Sequence, residues 1–307
     1  MKNQINFKNI IPFNNEQDIS LTEFVIKKVL AYWLIFIAAM LIGEAVIIAG
    51  LMIAGYHPLQ GDIPTSTFGM MLPEYGFIVY AAVTILYCRI VEKKKISDLG
   101  LNVDILGGLL GCVLALVLLA AVMAVCCLAG GFSWVGIQQL TSTKDLVIML
   151  FAFVIQSGAE ELMVRGFLMN TLRKRTSVLV AVMVSATMFA IPHLPSMLDM
   201  GGAYVIVGIV NLYLVSVVLS ALVLRRNNIW AAWGLHAAWN FVLYGALGLP
   251  LSGGAASNAG IFQFVTNGES ILNGGGYGVE ASIITTAILA VAVGFLMINW
   301  KKDKNGV

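Results

Sequence analysis

Charged residues are scarce in this chain of 307 residues. Asp, Glu, Lys and Arg make up 11% of it, whereas soluble domains carry about 25%. Hydrophobic residues make up 59% of the chain. The shortage of charge excludes an ordinary soluble globular protein and indicates an all-α, polytopic membrane protein.

Cysteine is also rare, and its placement excludes two classes of site. The four cysteines, Cys88, Cys112, Cys126 and Cys127, all lie in apolar stretches without C-x-x-C spacing. This pattern favours small core residues over a disulfide framework or a thiolate metal centre.

Long hydrophobic runs, by contrast, are abundant. A helix of about 20 apolar residues can cross the hydrocarbon core of a bilayer. Eight runs approach or exceed this length: 32–55, 75–90, 105–128, 146–170, 178–191, 203–224, 229–249 and 281–300. The sequence therefore predicts a bundle of eight transmembrane helices.

The basic residues predict the orientation of this bundle. Lys and Arg collect in cytoplasmic loops close to membrane ends. With eight spans, 16 of the 18 basic residues fall on one side, leaving Lys144 on the other side and Arg165 inside the membrane. We therefore expect both termini in the cytoplasm and the protein in the cell membrane.

This arrangement divides the chain into five predicted regions. Most of the segment after the seventh span is rich in Gly, Ser and Asn, which is typical of a flexible exposed loop. The regions are a cytoplasmic tail at 1–31 that could hold a short interfacial helix, spans one to three at 32–144, a core of spans four to seven at 145–250, the Gly-rich loop at 251–280, and the eighth span with its tail at 281–307.

The fourth run carries charges that packing does not require. Glu160, Glu161 and Arg165 lie in its middle, and a charge at bilayer depth costs from ~2.5 to more than 10 kcal/mol, which makes such residues functional candidates. On a helix, Glu161 and Arg165 are i,i+4 and can pair, while Glu160 points about 100° away. A buried ion pair that only stabilises the bundle is the alternative interpretation.

Other polar residues lie in or at the ends of two further runs. His193 follows the fifth run, and His236 and Asn240 share one face of the seventh. With a rise of 1.5 Å per residue, Glu160, His193 and His236 lie about 15–24 Å from the basic ends of their spans, depths that overlap near the middle of the bilayer. The sequence therefore predicts that these polar side chains converge on one wet cavity.

Together these residues form three ordered motifs. They are E-E-x-x-x-R from Glu160, F-x-x-x-H ending at His193, and H-x-x-x-N from His236. The set resembles that of the CAAX-protease and bacteriocin-processing family of intramembrane proteases (CPBP, or Abi), whose members are similar eight-span bundles. The resemblance covers about residues 146–244. Pro192 departs from the pattern, because it ends or kinks the helix next to the second-motif histidine.

The resemblance implies hydrolysis of a peptide bond inside the membrane. Glu160 would activate water, with His193, His236 and Asn240 around the reacting centre, while Glu161 and Arg165 would have a supporting role. The implied substrate is a membrane-associated peptide or protein in the lipid bilayer. We expect no nucleic-acid partner.

Three alternatives stay open at this stage. A protein of the same fold could act without proteolysis, as a bacteriocin self-immunity factor or a membrane scaffold. A proton-coupled transporter could use the same groups, although E-E-x-x-x-R occurs only once in the chain. Zinc could bind to Glu160, His193 and His236, but a metal-free site is favoured because it leaves Glu160 free as the base and gives Asn240 a role.

Overall fold

The computed structural model describes residues 5–14, 18–138, 142–198, 200–257 and 260–305, and they are mostly helical. Five helices are long and apolar enough to cross a membrane, and all eight predicted runs are largely helical. The helices are α1 (Leu21–Ile53), α2 (Thr67–Met70), α3 (Leu72–Ile90), α4 (Ile105–Leu128), α5 (Thr143–Glu161), α6 (Asn170–Leu172), α7 (Val178–Ala190), α8 (Leu194–Met197), α9 (Gly202–Arg226), α10 (Trp230–Asn240) and α11 (Ile283–Asn305). The chain is therefore a multi-pass membrane protein.

The first helix begins well before its apolar run. Ser20 and Glu23 form a reciprocal capping box, which satisfies free backbone N–H groups at the start of α1. The helix then continues without a break to Ile53, and Lys28 is already buried. Local capping therefore starts the helix at Leu21, inside the predicted tail at 1–31, and the end of that tail stays a prediction.

Helices α4 and α10 pack through glycine. A Cβ added to Gly111 would lie 2.0 Å from the carbonyl oxygen of Ala231, and one added to Gly234 would lie 2.1 Å from that of Gly108. Small residues allow such close backbone approach between membrane helices. This contact fixes α10, which carries His236 and Asn240.

Two helices contain wide, π-helical turns. Residues Leu162–Met169 join α5 to α6, and Phe241–Ala246 extend α10. Wide turns of this kind are rare and often occur at functional sites. Here one directly follows Glu161 and the other directly follows Asn240.

The Gly-rich segment is more ordered than the sequence predicted. It contains β2 (Phe262–Thr266), which pairs antiparallel with β1 (Phe132–Ile137) in a two-stranded ribbon. Asn273 and Tyr277 are buried, and Asn273 donates to the carbonyl oxygen of Gly131 at 3.1 Å. The chain is thus mostly helical, as predicted, with one short ribbon added, and strand pairing and a buried amide order part of the segment predicted as an exposed loop at 251–280.

Candidate active site

A buried ion pair lies at the centre of the bundle. Glu161 and Arg165 are both fully buried, and a guanidinium nitrogen of Arg165 lies 2.9 Å from Glu161 Oε1. The second terminal nitrogen donates to Ser216 Oγ at 2.7 Å, and the guanidinium lies 4.6 Å from the ring centroid of Phe189. The predicted i,i+4 pairing is confirmed.

His236 connects this pair to the neighbouring glutamate. Its Nδ1 lies 3.0 Å from Glu161 Oε1, and its Nε2 lies 3.7 Å from Glu160 Oε2. Because a carboxylate accepts a hydrogen bond, Glu161 favours the proton on Nδ1. Nε2 is thereby directed at Glu160.

Glu160 is bound from the other side by a residue that sequence reasoning missed. Gln156 Nε2 donates to Glu160 Oε1 at 2.7 Å, and Gln156 Oε1 accepts from Asn240 Nδ2 at 2.9 Å. Gln156 therefore links the first motif to the third. Its signal was its position four residues before Glu160, on the same helical face.

Glu160 Oε2 is the open atom of the site. It is buried and has no hydrogen-bond partner among the residues that the structure describes. A buried carboxylate oxygen without a partner is costly. The geometry thus leaves one oxygen of Glu160 available to a water or a substrate.

The second-motif histidine lies just beyond a helix end. Helix α7 ends at Ala190 and a 3₁₀ turn, Ile191–His193, follows, as Pro192 predicted. His193 Nδ1 lies 2.9 Å from the carbonyl oxygen of Phe189. Because a carbonyl only accepts, Nδ1 carries the proton and Nε2 is left as an acceptor.

Two spaces adjoin these side chains. One of about 260 Å³ is lined in part by Gln156, His193, His236 and Asn240. The other, of about 20 Å³, is lined by Glu160 and His193 together with aromatic and aliphatic side chains, two of them tyrosines. The smaller space has room for one water molecule, which needs a cavity of about 10–15 Å³ or more. His193 and the rings of Phe77 and Phe189 line both spaces.

Two more glutamates line the larger space, and sequence reasoning missed them as well. Glu280 accepts from Trp239 Nε1 at 3.2 Å and from the backbone N–H of Ser252 at 2.6 Å. Glu74 Oε2 is buried and has no hydrogen-bond partner within the described ranges. Neither glutamate belongs to a motif, so spacing gave no signal for them.

The candidate zinc ligands do not form a cluster. Within the described part of the chain, no three or more His, Cys, Asp or Glu side chains lie close enough together to hold a metal ion. Glu160 and His236 are neighbours, but the position of His193 does not complete a set of three. The residues present do not fit this metal, and no step is derived through it.

The arrangement combines the parts that acyl hydrolysis requires. It has a carboxylate with a free oxygen beside a water-sized space, two imidazoles and an amide donor next to a larger cavity.

A family model described as "Type II CAAX prenyl endopeptidase Rce1-like" matches residues 142–242, a range that holds all six predicted site residues. No curated protein matches the chain.

Proposed function

We propose that this chain, whose residues 142–242 match the model of a CAAX prenyl endopeptidase family, is an intramembrane endopeptidase in which Glu160 activates water. The observation that supports the proposal most is the free Oε2 of Glu160 in the wall of a water-sized space shared with His193. The substrate is a membrane-associated peptide or protein.

Glu160 acts as the general base. A water in the small space gives a proton to Glu160 Oε2 while its oxygen attacks the carbonyl carbon of the scissile bond. Gln156 holds the other carboxylate oxygen, so that Oε2 faces the water. The tetrahedral intermediate then carries a negative charge on the former carbonyl oxygen.

His236 and Asn240 stabilise this oxyanion. Asn240 donates one amide hydrogen to Gln156 and keeps a second for the substrate. A proton on His236 Nε2 supplies a second donor, and the Glu161 carboxylate at Nδ1 stabilises the resulting imidazolium. Arg165 in turn holds Glu161, which gives the pair a positioning role.

His193 completes the proton transfers. Its Nδ1 is occupied by the Phe189 carbonyl, so its Nε2 is the atom that can exchange a proton. Collapse of the intermediate breaks the C–N bond, and the proton taken from water reaches the leaving amine through Glu160 and His193. The products are a carboxylic acid and an amine.

The larger space is the proposed substrate site. Its volume of about 260 Å³ fits a few side chains of an extended peptide, and its wall is mostly aromatic and aliphatic. Gln156, His193, His236 and Asn240 form one polar region of this wall. An apolar peptide segment with its scissile carbonyl turned to these residues suits such a surface.

We also propose the eight-span arrangement, with both termini in the cytoplasm and residues 145–250 as the catalytic core. The antiparallel pairing of β1 with β2 requires the loops after the third and seventh spans to lie on one side of the membrane, as this topology demands. The cell membrane is the proposed location.

Glu160→Gln tests the mechanism. The amide keeps the shape of the side chain but cannot accept the proton, so cleavage should fall about 10²-fold or more while the amount of folded protein is unchanged. The measurement compares membrane peptides, by mass spectrometry, from cells with the wild-type chain, with the variant and without the chain.

Glu44→Gln is the matched control. Glu44 is exposed on α1 and lines neither space, so its amide variant should process peptides like the wild type. Wild-type processing by Glu160→Gln would refute the protease proposal and favour the self-immunity or scaffold alternative.

A further inference from the structure

A basic cavity lies at the end of the bundle that carries most Lys and Arg residues. It measures about 290 Å³ and lies where α1, the segment after α3 and the turn between α6 and α7 meet. Five cations line it: Lys28, Lys93, Lys94, Lys174 and Arg175. Among the described residues of its wall, Glu92 and Asp98 carry the only negative charges, so positive charge is in excess there.

Two of these lysines are buried around a single carboxylate. Lys28 Nζ lies 2.6 Å from Glu92 Oε1, and Lys94 Nζ lies 3.7 Å from Glu92 Oε2. Their side chains are only 3% and 11% exposed. Burial lowers the pKa of Lys94, because the charged form is less well solvated there. One carboxylate thus faces two desolvated cations. A further anion would balance the second positive charge.

Three of the cations in the wall of the cavity lie against aromatic rings. Lys28 Nζ and Arg175 Cζ lie 5.5 and 4.7 Å from the ring centroid of Phe24, and Lys94 Nζ lies 5.0 Å from that of Phe167. Such contacts hold a cation in place without neutralising its charge. The cavity therefore has positive groups held against aromatic rings as well as exposed lysines.

We propose that this cavity binds a phosphate group. Arg and Lys recognise phosphate through charge-assisted hydrogen bonds, and basic pockets between membrane helices on the cytoplasmic side bind anionic lipid headgroups. The cavity lies at the ends of membrane-spanning helices, where headgroups lie. The phosphate can belong to an anionic phospholipid or to a soluble phosphate compound.

Titrations on the purified full-length chain in detergent test this site. Thermal unfolding is followed while dioctanoyl-phosphatidylglycerol is added, with dioctanoyl-phosphatidylcholine as the zwitterionic control. A second series adds pyrophosphate, with sodium chloride at matched ionic strength. A ligand that binds only the folded protein raises the unfolding temperature, and the rise grows with the ratio of ligand concentration to Kd.

Two double variants distinguish anion binding in the cavity from attraction of the anion to positive charge elsewhere on the surface. Lys93→Gln with Lys174→Gln removes two exposed cations of the cavity. Arg89→Gln with Lys95→Gln removes two exposed cations from neighbouring positions outside it. Each lost cation near a bound anion should weaken binding about fivefold, so the cavity variant should bind about 25-fold more weakly and the control variant nearly as the wild type.

The outcomes are distinct. A wild-type response to phosphatidylglycerol alone, lost in the cavity variant, supports the site with a lipid headgroup as its occupant. A response to pyrophosphate alone, lost in the same variant, supports it with a soluble ligand, and a response to both supports a general phosphate site. The proposal is overturned if the wild type responds to neither probe, or if the two double variants lose equal affinity.

Discussion

At the residue scale, the buried charge of Arg165 should matter more for folding than for chemistry. Arg165→Met leaves Glu161 without its nearest cation in a fully buried position, at a cost of roughly 3–5 kcal/mol. We expect a clear loss of folded protein in detergent, measured by size-exclusion chromatography of a fluorescent fusion.

The double variant Glu161→Gln with Arg165→Met is the control for this effect. It removes both charges, so it should recover much of the protein lost in the single variant. Protein levels that stay at the wild-type value in Arg165→Met would show that the pair contributes little to stability.

Whether the site needs a metal ion also depends on single side chains. The described side chains of Glu160, His193 and His236 do not gather into a metal-binding cluster, and the proposed mechanism gives each of them a role without a metal. Purified protein should keep its activity after exhaustive chelation, with sub-stoichiometric zinc by elemental analysis. Loss of activity on chelation and its return with zinc would contradict this mechanism while leaving the protease assignment intact.

At this scale, the sequence predicted the side-chain contact within one helix but not the hydrogen bonds between helices. The Glu161–Arg165 pair follows from i,i+4 spacing within one helix. The contact of Gln156 with Asn240 joins two helices far apart in the chain, and no spacing rule reaches across such a distance. The same holds for His236 and Glu161.

At the scale of elements, the contact between α4 and α10 should be the least tolerant of added volume. In Gly111→Ala the new Cβ would overlap the backbone of Ala231, and overpacking of this kind costs about 1–3 kcal/mol. The shift of α10 should also displace His236 and lower the cleavage rate. Thermal unfolding and the peptide assay measure the two effects.

Gly50→Ala is the matched control, because a Cβ there meets nothing within 4 Å. Alanine favours the helix by up to about 1 kcal/mol, so this variant should be as stable as the wild type or slightly more stable. Equal unfolding temperatures for the two variants would show that α4 and α10 can move apart without cost.

The positions of the helices could be predicted from the lengths of the apolar runs, but the π-helical turns and the β-ribbon could not. The run at 105–128 coincides with α4, since a hydrophobic stretch must be helical to satisfy its backbone in lipid. The π-helical turns and the ribbon of β1 and β2 depend on contacts between distant segments. Composition alone therefore did not predict the strand β2 within the Gly-rich segment.

At the scale of the whole molecule, the one-sided basic residues predict which loops face the cytoplasm. Single cysteines at Lys95 and Lys174, in a background without the four native cysteines, should react with a thiol reagent only after the cell is permeabilised. A cysteine at the exposed Glu269 should react in intact cells. Labelling of Glu269→Cys on the same side as Lys95→Cys would refute the eight-span topology.

The ribbon between β1 and β2 has a consequence for how the protein is made. The strands flank the family segment, with β1 ending at Ile137 and β2 beginning at Phe262. Synthesis of the roughly 125 residues between them takes about 6–25 s at 5–20 residues per second. In the proposed topology, the first strand therefore waits on the far side of the membrane until Glu160, His193 and His236 have all been inserted, and the ribbon forms only around a completed set of the proposed catalytic groups.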